Sequence, residues 1–593
     1  MYRQSARLFT EKDQCVFVTL GLVLFLCSLG MGCRSGGTIQ PDSGCEGGGS
    51  GCQPAPLPTS TLTAQPTVIN SGQSSILSWS TQNGTAVDLQ PGIGSVQVKG
   101  SLQISPKQTT TYTLTVTGRG GTSRTSATVT VSGATQPSGV QLSPGDDVQA
   151  AVKSKPAGTT FTLAPGAYRM QSVVPKDHDV FSGQKGATLV GAALIEPSSW
   201  KQASSGVWVA QVSGITPESS YRGECDKNHP ACMYPEDMFF DSKPLMRVAS
   251  ISLVAPGKWF LDYSTDKAYV GSDPVGHTVE VSVTHAAFWG SASNVTIRGL
   301  TIEKYASIAG KGAINALDSL NGYGPAADNW TVDSNELLLN HGAGVRVNNG
   351  MVVANNKIHD NGQMGIGGNG DQILMKNNEV YNNNYVGYSY DWEAGGIKVA
   401  SSATHVTIEG NYVHDNKGPG IHADISCDHV TIQNNHTLHN LAIGIHYEIS
   451  YNGVVKNNLV EDDGILNNPP AATPWYGGGI IVSNSVNVEV SGNTVTHCSN
   501  GIFGTYADRG SDAKTRLPYT LKNLNVHDNT ITQQTGFAAG IVKADIFDGS
   551  VYTIWANHFQ NNTFYLSALT HPYFVWLGEL WTYAQWNEYA SEH

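Results

Sequence analysis

The sequence predicts an all-β chain whose main body is a solenoid of stacked coils. Three observations carry that prediction. The pair Gly-Ile returns at Gly396-Ile397, Gly420-Ile421 and Gly444-Ile445, each 24 residues after the last. One Asn returns at the turn of successive units: Asn335, Asn356, Asn378, Asn411, Asn435, Asn458, Asn493, Asn529 and Asn557. Charged residues make up 14% of the chain, against about 25% in an ordinary globular protein, while glycine reaches 66 residues. A fixed interval of about 20 to 50 residues, holding short alternating strands and a turn, arises when one repeat is one coil. Stacked Asn side chains can hydrogen-bond along a ladder and tolerate left-handed backbone, so these Asn are read as structural.

Taken in order, the chain opens with Arg3, Arg7 and Lys12 before an apolar run at 15–29, the pattern of an export signal. The run ends in LGMGC, which resembles a bacterial lipoprotein cleavage box and implies lipidation of Cys33; Gly30 departs from the large aliphatic residue usual at its position. The expected location is extracytoplasmic, anchored by that lipid or secreted. Membrane contact is expected only through the anchor. Residues 34–60 are Gly, Ser and Pro, a flexible tether. In 61–133 the runs SSILSWS, SVQVKG, TTTYTLTVTG and SATVTVSG alternate with turn signals, as in a small β-sandwich. Their wording resembles bacterial immunoglobulin-like modules, which implies a spacer.

From residue 138 the texture changes. SPGDDVQAAVKSK reads as a short helix capped by Asp146 or Asp147, followed by a strand at 161–163 and a turn at Pro165-Gly166. This opening resembles right-handed parallel β-helix proteins of the pectate-lyase-like superfamily, which implies that fold for 138–593. Residues 200–290 interrupt the repeats with hairpin-like runs, WVAQV, MFFDSKPLMRV and KWFLDYSTDKAYV. They resemble an insert seen in β-helix glycosidases, including β-xylosidases of that fold. At the end, Phe574, Trp576, Leu577, Leu580, Trp581 and Trp586 recur at irregular helical spacing and are read as a cap on the last coil.

Cysteines are thinly spread. Cys45/Cys52 and Cys225/Cys232 are each seven apart and suit local disulfides in an oxidising compartment, whereas Cys427 and Cys498 read as small core or turn residues. No Cys/His spacing resembles a zinc site.

The candidate site follows from strand alternation. With Gly-Ile opening a strand, Ile421, Ala423 and Ile425 face inward and His422 and Asp424 outward. Stacked coils lie about 4.8 Å apart. The repeat therefore builds two columns, Lys398, His422, His446 and Ala400, Asp424, Glu448. Coil length marks the same place. Nine residues separate the ladder Asn from the next Gly-Ile in plain coils (Asn411 to Gly420, Asn435 to Gly444), but 18 separate Asn378 from Gly396 and 21 separate Asn458 from Gly479. Insertions in solenoids collect on the working face. The two long loops offer Tyr385, Tyr388, Tyr390, Trp392 and Glu393, and then Trp475 and Tyr476. Of these, Tyr390, Trp392, Glu393, Trp475 and Tyr476 are expected to contact substrate, aromatic faces packing on sugar rings.

Two carboxyls on adjacent coils suit glycoside hydrolysis, where a retaining mechanism needs about 5 to 5.5 Å between them. Like charges this close are expected to leave one carboxyl protonated toward neutral pH. The resemblance to β-helix xylosidases implies Asp424 as nucleophile and Glu448 as acid/base, although the chain lacks a close overall match. His422, His446 and Lys398 would bond hydroxyls and tune the pair. No cofactor is required. An alternative is uronate β-elimination, with Lys398 or a His as base and Arg346, or Ca²⁺ held by Asp424, Glu448 and Glu393, neutralising the acid. The net charge of −13 and the lack of an Arg cluster stand against it. A further alternative is a non-catalytic glycan- or cell-surface-binding protein. The acidic balance excludes nucleic acid as partner. The expected partner is a polysaccharide or oligosaccharide, bound by a monomer.

Overall fold

Between Val140 and Trp581 the chain winds through three long sheets of 13, 12 and 12 strands among the described residues, and from Thr296 to Trp576 each coil gives one strand to each sheet. The computed structural model describes residues 58–70, 73–90, 93–106, 110–118, 121–132, 139–215, 222–320, 322, 324–464, 477–543 and 549–592. The export stretch, the tether, Cys33, Cys45, Cys52, Trp475 and Tyr476 lie outside them. Two units divide the chain, Met1–Ala134 and Thr135–His593.

In the first unit, Thr59–Gln65, Ser75–Gln82 and Lys99–Ile104 form one antiparallel sheet, and a five-stranded sheet is built around Thr110–Gly118 and Gly121–Ser132. Alternation decides the faces: Leu77 and Trp79, and likewise Leu114 and Val116, are buried in one shared cluster. Pairs such as Thr113–Ser126 stay on the outside.

In the second unit a representative coil runs Thr404–Glu409, Tyr412–His414, Ile421–Ala423, and then Asp428–Gln433 in register with Thr404–Glu409. All three sheets are parallel along the coils, with one antiparallel strand, Glu579–Trp581, closing the third. Parallel register stacks like on like: Ile297, Val332, Val353, Met375, Ile408, Ile432, Val455, Val490 and Val526 form one buried column. Burying a branched side chain contributes about 1.5 to 3 kcal/mol. A column of nine is therefore a large driving force for in-register stacking.

The corners are held by two Asn ladders. In the first, each backbone N–H donates to the next Asn Oδ1, as from Asn411 to Asn435 at 2.9 Å, and each Nδ2 also reaches a coil carbonyl. It runs from Asn335 through Asn529 as the sequence suggests, but its last rung is Asn562, not Asn557. Asn557 instead accepts from Leu524 N and donates to Leu521 and Val551 carbonyls. The left-handed residue is not the ladder Asn but the one before it: Asn377 (φ 54°), Gly410 (φ 64°), Asn434 (φ 55°). The second ladder, Asn340, Asn361, Asn383, Asn416 and Asn440, ends on Asp463, whose Oδ1 accepts from Asn440 N and Nδ2. It also explains the Gly of Gly-Ile. A Cβ on Gly396 or Gly420 would lie 3.0 or 2.8 Å from the amide of Asn416 or Asn440.

The ends are closed as expected at one end and differently at the other. Helix Val148–Ser154 is capped by Asp147, which accepts from Ala150 N at 2.9 Å, and it buries Val148 and Val152 on the first coils. At the C-terminus, Phe574 and Trp576 lie on a strand, Phe574–Trp576, that continues the third sheet. Only Tyr583–Glu592 is helical, and its Trp586 stacks on Phe574. The interruption of the repeats consists of two sheets, antiparallel but for one parallel pairing, between Ala192 and Ser282, with Met238, Trp259, Leu261 and Val281 at their core. Cys225 and Cys232 form a disulfide, and Cys427 and Cys498 are free and buried.

Candidate active site

The grid forms on the outside of the third sheet. Lys398 pairs with His422 and His422 with His446 in parallel register, while Ile397, Ile421 and Ile445 beside them enter the core. Ile425 does not continue the inward set: the strand ends at Ala423, and Ile425 (φ 50°) and Ser426 (φ 59°) turn left-handed. That turn leaves Asp424 as the last residue of the face.

The side chains interlock. Lys398 Nζ lies 2.9 Å from Asp424 Oδ2. His422 Nε2 lies 3.0 Å from Glu448 Oε2 and 4.0 Å from Asp424 Oδ2, which caps the separation of these two oxygens at about 7 Å, a limit that admits the roughly 5 Å spacing of a retaining pair. The rings of His422 and His446 stack at 4.6 Å and 14°. His446 Nε2 meets Ser483 Oγ at 2.8 Å. Lys398, His422, Asp424, His446 and Glu448 are all under 10% exposed, so the face is roofed by loops rather than open to water.

Charge balance under this roof departs from the sequence expectation. Burial alone would raise the Glu448 carboxyl, but His446, the His422 hydrogen bond and Arg509 together hold it well below the ordinary range. Arg509 Nη1 contacts Glu448 Oε1 directly. No proton is therefore retained on Glu448 at neutral pH. Burial pushes the His446 imidazole down to about 3, so it is neutral. Burial would lower the Lys398 ammonium, yet Asp424 and Glu393 raise it, so it is a cation and a poor base. Among the described residues, His422, His446 and Glu448 also bring ligand atoms within 4.8 Å of one another, a set able to take a divalent ion. The calcium triad Asp424, Glu448 and Glu393 is less suited, because Lys398, Arg509 and Arg222 already face its members.

The first long loop does not present all its rings to the grid. Tyr385 donates to Asp237 Oδ2 at 2.6 Å, and Tyr388 is buried beside Cys232, Ala309 and Ala394, so both tie the loop to the inserted subdomain. Ser389 N donates to Glu224 O and Asp226 N to Gly387 O, joining the disulfide loop to this one. Trp392 is half-buried against Tyr388, 5.8 Å from the Arg222 guanidinium, and its carbonyl accepts from Lys398 Nζ at 3.2 Å. Tyr390 is half-buried too. Glu393 Oε1 lies 3.9 Å from Arg222. Arg346 shares the outer column with Lys398 through Gly367, and it donates to Gly310 O at 2.9 Å and Asn369 Oδ1 at 3.0 Å.

Four charged residues here escaped sequence reasoning. Arg509 sits on a loop anchored by Ser426, whose Oγ donates to Asp512. Its signal was available: 36 residues separate Asn493 from Asn529, but the excess falls after the grid strand. Asp391 carries a carboxyl raised by burial and by the charges of Glu448 and Glu224. Arg222 and Lys311 join Arg346 as a cation cluster, overturning the expectation that none exists. Arg222 comes from the insert, so no register could have placed it.

A cavity of about 190 Å³ lies elsewhere, between the insert and the coils, lined by His229, Asp237, Arg247, His341 and Tyr385 among others. Its polar groups satisfy each other: His341 Nδ1 is 3.0 Å from Asp237, and Arg247 pairs with Glu236 at 2.8 Å. It reads as a joint.

Residues 320–468 match the family model described as right handed beta helix region. The solenoid is thus a right-handed parallel β-helix. No sequence among the curated proteins matches this chain. Among solved structures it is similar to XylC in complex with xylose, at 14% identity over 71% of this chain and 79% of that one, with a TM-score of 0.42. It is also similar to the A-module of the mannuronan C-5 epimerase AlgE6 of Azotobacter vinelandii (14% identity, 73% and 93% covered, TM-score 0.37). A third is the polygalacturonase of Erwinia carotovora ssp. carotovora (11% identity, 74% and 95% covered, TM-score 0.31).

Proposed function

We propose that this protein is an extracytoplasmic carbohydrate-active enzyme, a glycoside hydrolase acting on a polysaccharide or oligosaccharide, exported by its N-terminal signal and tethered through a lipid on Cys33. The observation that carries the reading is the placement of Asp424 and Glu448 on neighbouring coils of one outer face, both within 4.0 Å of the His422 Nε2. Asp424 is the nucleophile, paired with Lys398 Nζ at 2.9 Å. Glu448 is the acid/base. In the free protein His446, the His422 hydrogen bond and Arg509 together hold it low, so it is an anion.

Arg509 is 41% exposed along its side chain and sits on the roof of the grid, where a sugar ring entering the site would displace it. With that cation gone, one of the groups that lower the Glu448 carboxyl is removed while burial, which raises it, remains, so the carboxyl moves toward holding the proton that the leaving oxygen needs. Substrate binding and protonation are one event in this scheme. His422 and His446 then hold Glu448 in place, and Lys398, Trp392 and Glu393 line the approach.

The test is product analysis on a panel of glycans with Asp424→Asn and Glu448→Gln beside the wild type. New reducing ends without the ultraviolet absorbance of an unsaturated uronate are expected from the wild type, with losses on the order of 10²–10⁴-fold in each variant. Unsaturated products would instead establish elimination, and binding without products a non-catalytic role.

A further inference from the structure

We propose that Lys311, Arg346 and Arg222 form an anion subsite that holds the acidic group of a charged sugar, a carboxylate or a sulfate ester, in the glycan presented to Asp424 and Glu448. The proposal rests on the reading of that pair as a glycan-cleaving site and names the substrate class it takes.

Position is the first argument. Arg346 stands in the same outward column as Lys398, two coils upstream, or about 10 Å along the solenoid axis. Lys311 immediately precedes the strand Gly312–Asn315, whose Asn315 pairs with Arg346. Arg222 reaches the same spot from the inserted subdomain. Gly310 is where they converge. Its carbonyl accepts from Arg346 Nη1 at 2.9 Å, its N–H donates to Gln363 Oε1 at 2.7 Å, and a Cβ on it would lie 3.6 Å from Arg222 Nη1 and 4.0 Å from Glu393 Oε2. A side chain there would crowd Arg222 and the Glu393 carboxylate.

Electrostatics is the second. The chain has a net charge of −13 and only 34 Lys and Arg in 593 residues, yet three of them crowd into one patch. Glu393 faces Arg222, and it also acts on Lys398, so it is shared between neighbours. Burial, with Arg346 and Arg222 beside it, pushes the Lys311 ammonium down to about 8. Like charges held together at a cost in free energy are what a bound anion would relieve. Arg346 already donates to Gly310 O and Asn369 Oδ1, and Lys311 Nζ to the Gly322 carbonyl, so an acidic group would be met by the remaining N–H groups of these cations and by Arg222. The cleavage pair, three and four coils further along, keeps its own balance of Lys398 with Asp424 and Arg509 with Glu448.

The experiment is isothermal titration of the full chain carrying Glu448→Gln, which binds without turnover, with an oligogalacturonate, a sulfated galactan oligosaccharide and a neutral xylo-oligosaccharide of equal length. At least one acidic ligand is expected to bind about tenfold tighter than the neutral one at low salt, and Arg346→Gln and Lys311→Met each to erase that advantage. At a pH near 8, titration in buffers of different ionisation enthalpy should show partial proton uptake on binding. Lys311→Arg should keep the affinity and abolish the uptake, a result that misfolding could not give. Equal affinity for acidic and neutral ligands, or an acidic preference untouched in both Arg346→Gln and Lys311→Met, overturns the subsite. Tight acidic binding with no glycan cleaved by the wild type leaves the subsite standing and removes the hydrolase reading. Cleavage of neutral glycans without acidic preference does the reverse.

Discussion

Replacing Asp463 by Asn should make the protein less sensitive to alkaline pH. Asp463 is the sixth rung of the second ladder, 1% exposed, with Oδ1 accepting from Asn440 N at 2.7 Å and Nδ2 at 2.9 Å and Oδ2 from Thr437 Oγ1 at 2.6 Å. Burial outweighs these bonds and lifts its carboxyl from the ordinary 3.8 to about 7. A group whose value is raised by folding gives its full stabilisation below the unfolded value and loses it as pH climbs through the folded one. About three units at 1.36 kcal/mol each is about 4 kcal/mol, lost between about pH 4 and pH 7. Asn keeps the acceptor for Asn440 and removes the titration. A solenoid need not unfold in one step. Calorimetric melting of both proteins at about pH 4 and pH 8 should therefore be paired with hydrogen exchange at the Asn440 amide, the group that reads this bond directly. The variant is expected to match the wild type in acid and to melt higher, with a better-protected Asn440, in base. A difference between the two proteins that stays constant with pH would falsify the argument.

Arg509→Ala removes one of the cations that lower Glu448, so the alkaline limb of kcat/KM should move up, while the limb in kcat, which reports the complex where Arg509 is already displaced, stays put. Equal shifts in both profiles would remove the displacement scheme. Asn378→Ala orphans Asn356 N–H and the Val353 carbonyl, at about 1–3 kcal/mol for each buried group; a lower melting temperature and proteolysis at that coil would register it. Reducing Cys225–Cys232 frees the strip that bonds Gly387 and Ser389, and should raise KM more than it lowers kcat, since the released loop carries Trp392 and Glu393 rather than the carboxyl pair.

What the sequence made legible was whatever repeats. Gly-Ile at equal intervals located Ile397, Ile421 and Ile445 in the core and, by alternation, Lys398, His422 and His446 on the face, because parallel register turns sequence period into spatial stacking. The same logic failed where the period breaks. Asn557 fits the spacing, but the helical turn Ser550–Thr553 shifts the chain so that Asn562 completes the ladder. The second ladder was overlooked because its positions drift from Asn to Asp463 and then to Cys498, which approaches the Val460 carbonyl. Arg222 and Arg509 sit on excursions whose length can be counted but whose landing point depends on tertiary bonds such as Ser426 to Asp512. Without those two guanidiniums, the charge state of Glu448 and the cation cluster could not be read. Which aromatics of the first loop stay near the grid was likewise a tertiary matter: the insert offers Asp237 and Cys232 as partners, and Tyr385 and Tyr388 turn to them.

The ladders make the coils interchangeable modules. Asn411 and Asn416 each bond a partner 24 residues on, in Asn435 and Asn440. Excising residues 411–434 would join Gly410 to Asn435 with the left-handed residue still ahead of its Asn, and Asn378 and Asn383 would simply grasp the next pair. Such a shortened chain closes on itself, yet it has lost His422 and Asp424, and Lys398 meets His446 instead. Architecture and chemistry are thereby inherited separately: whole turns can be gained or dropped without unfolding, and each such event rewrites the outer face by one row.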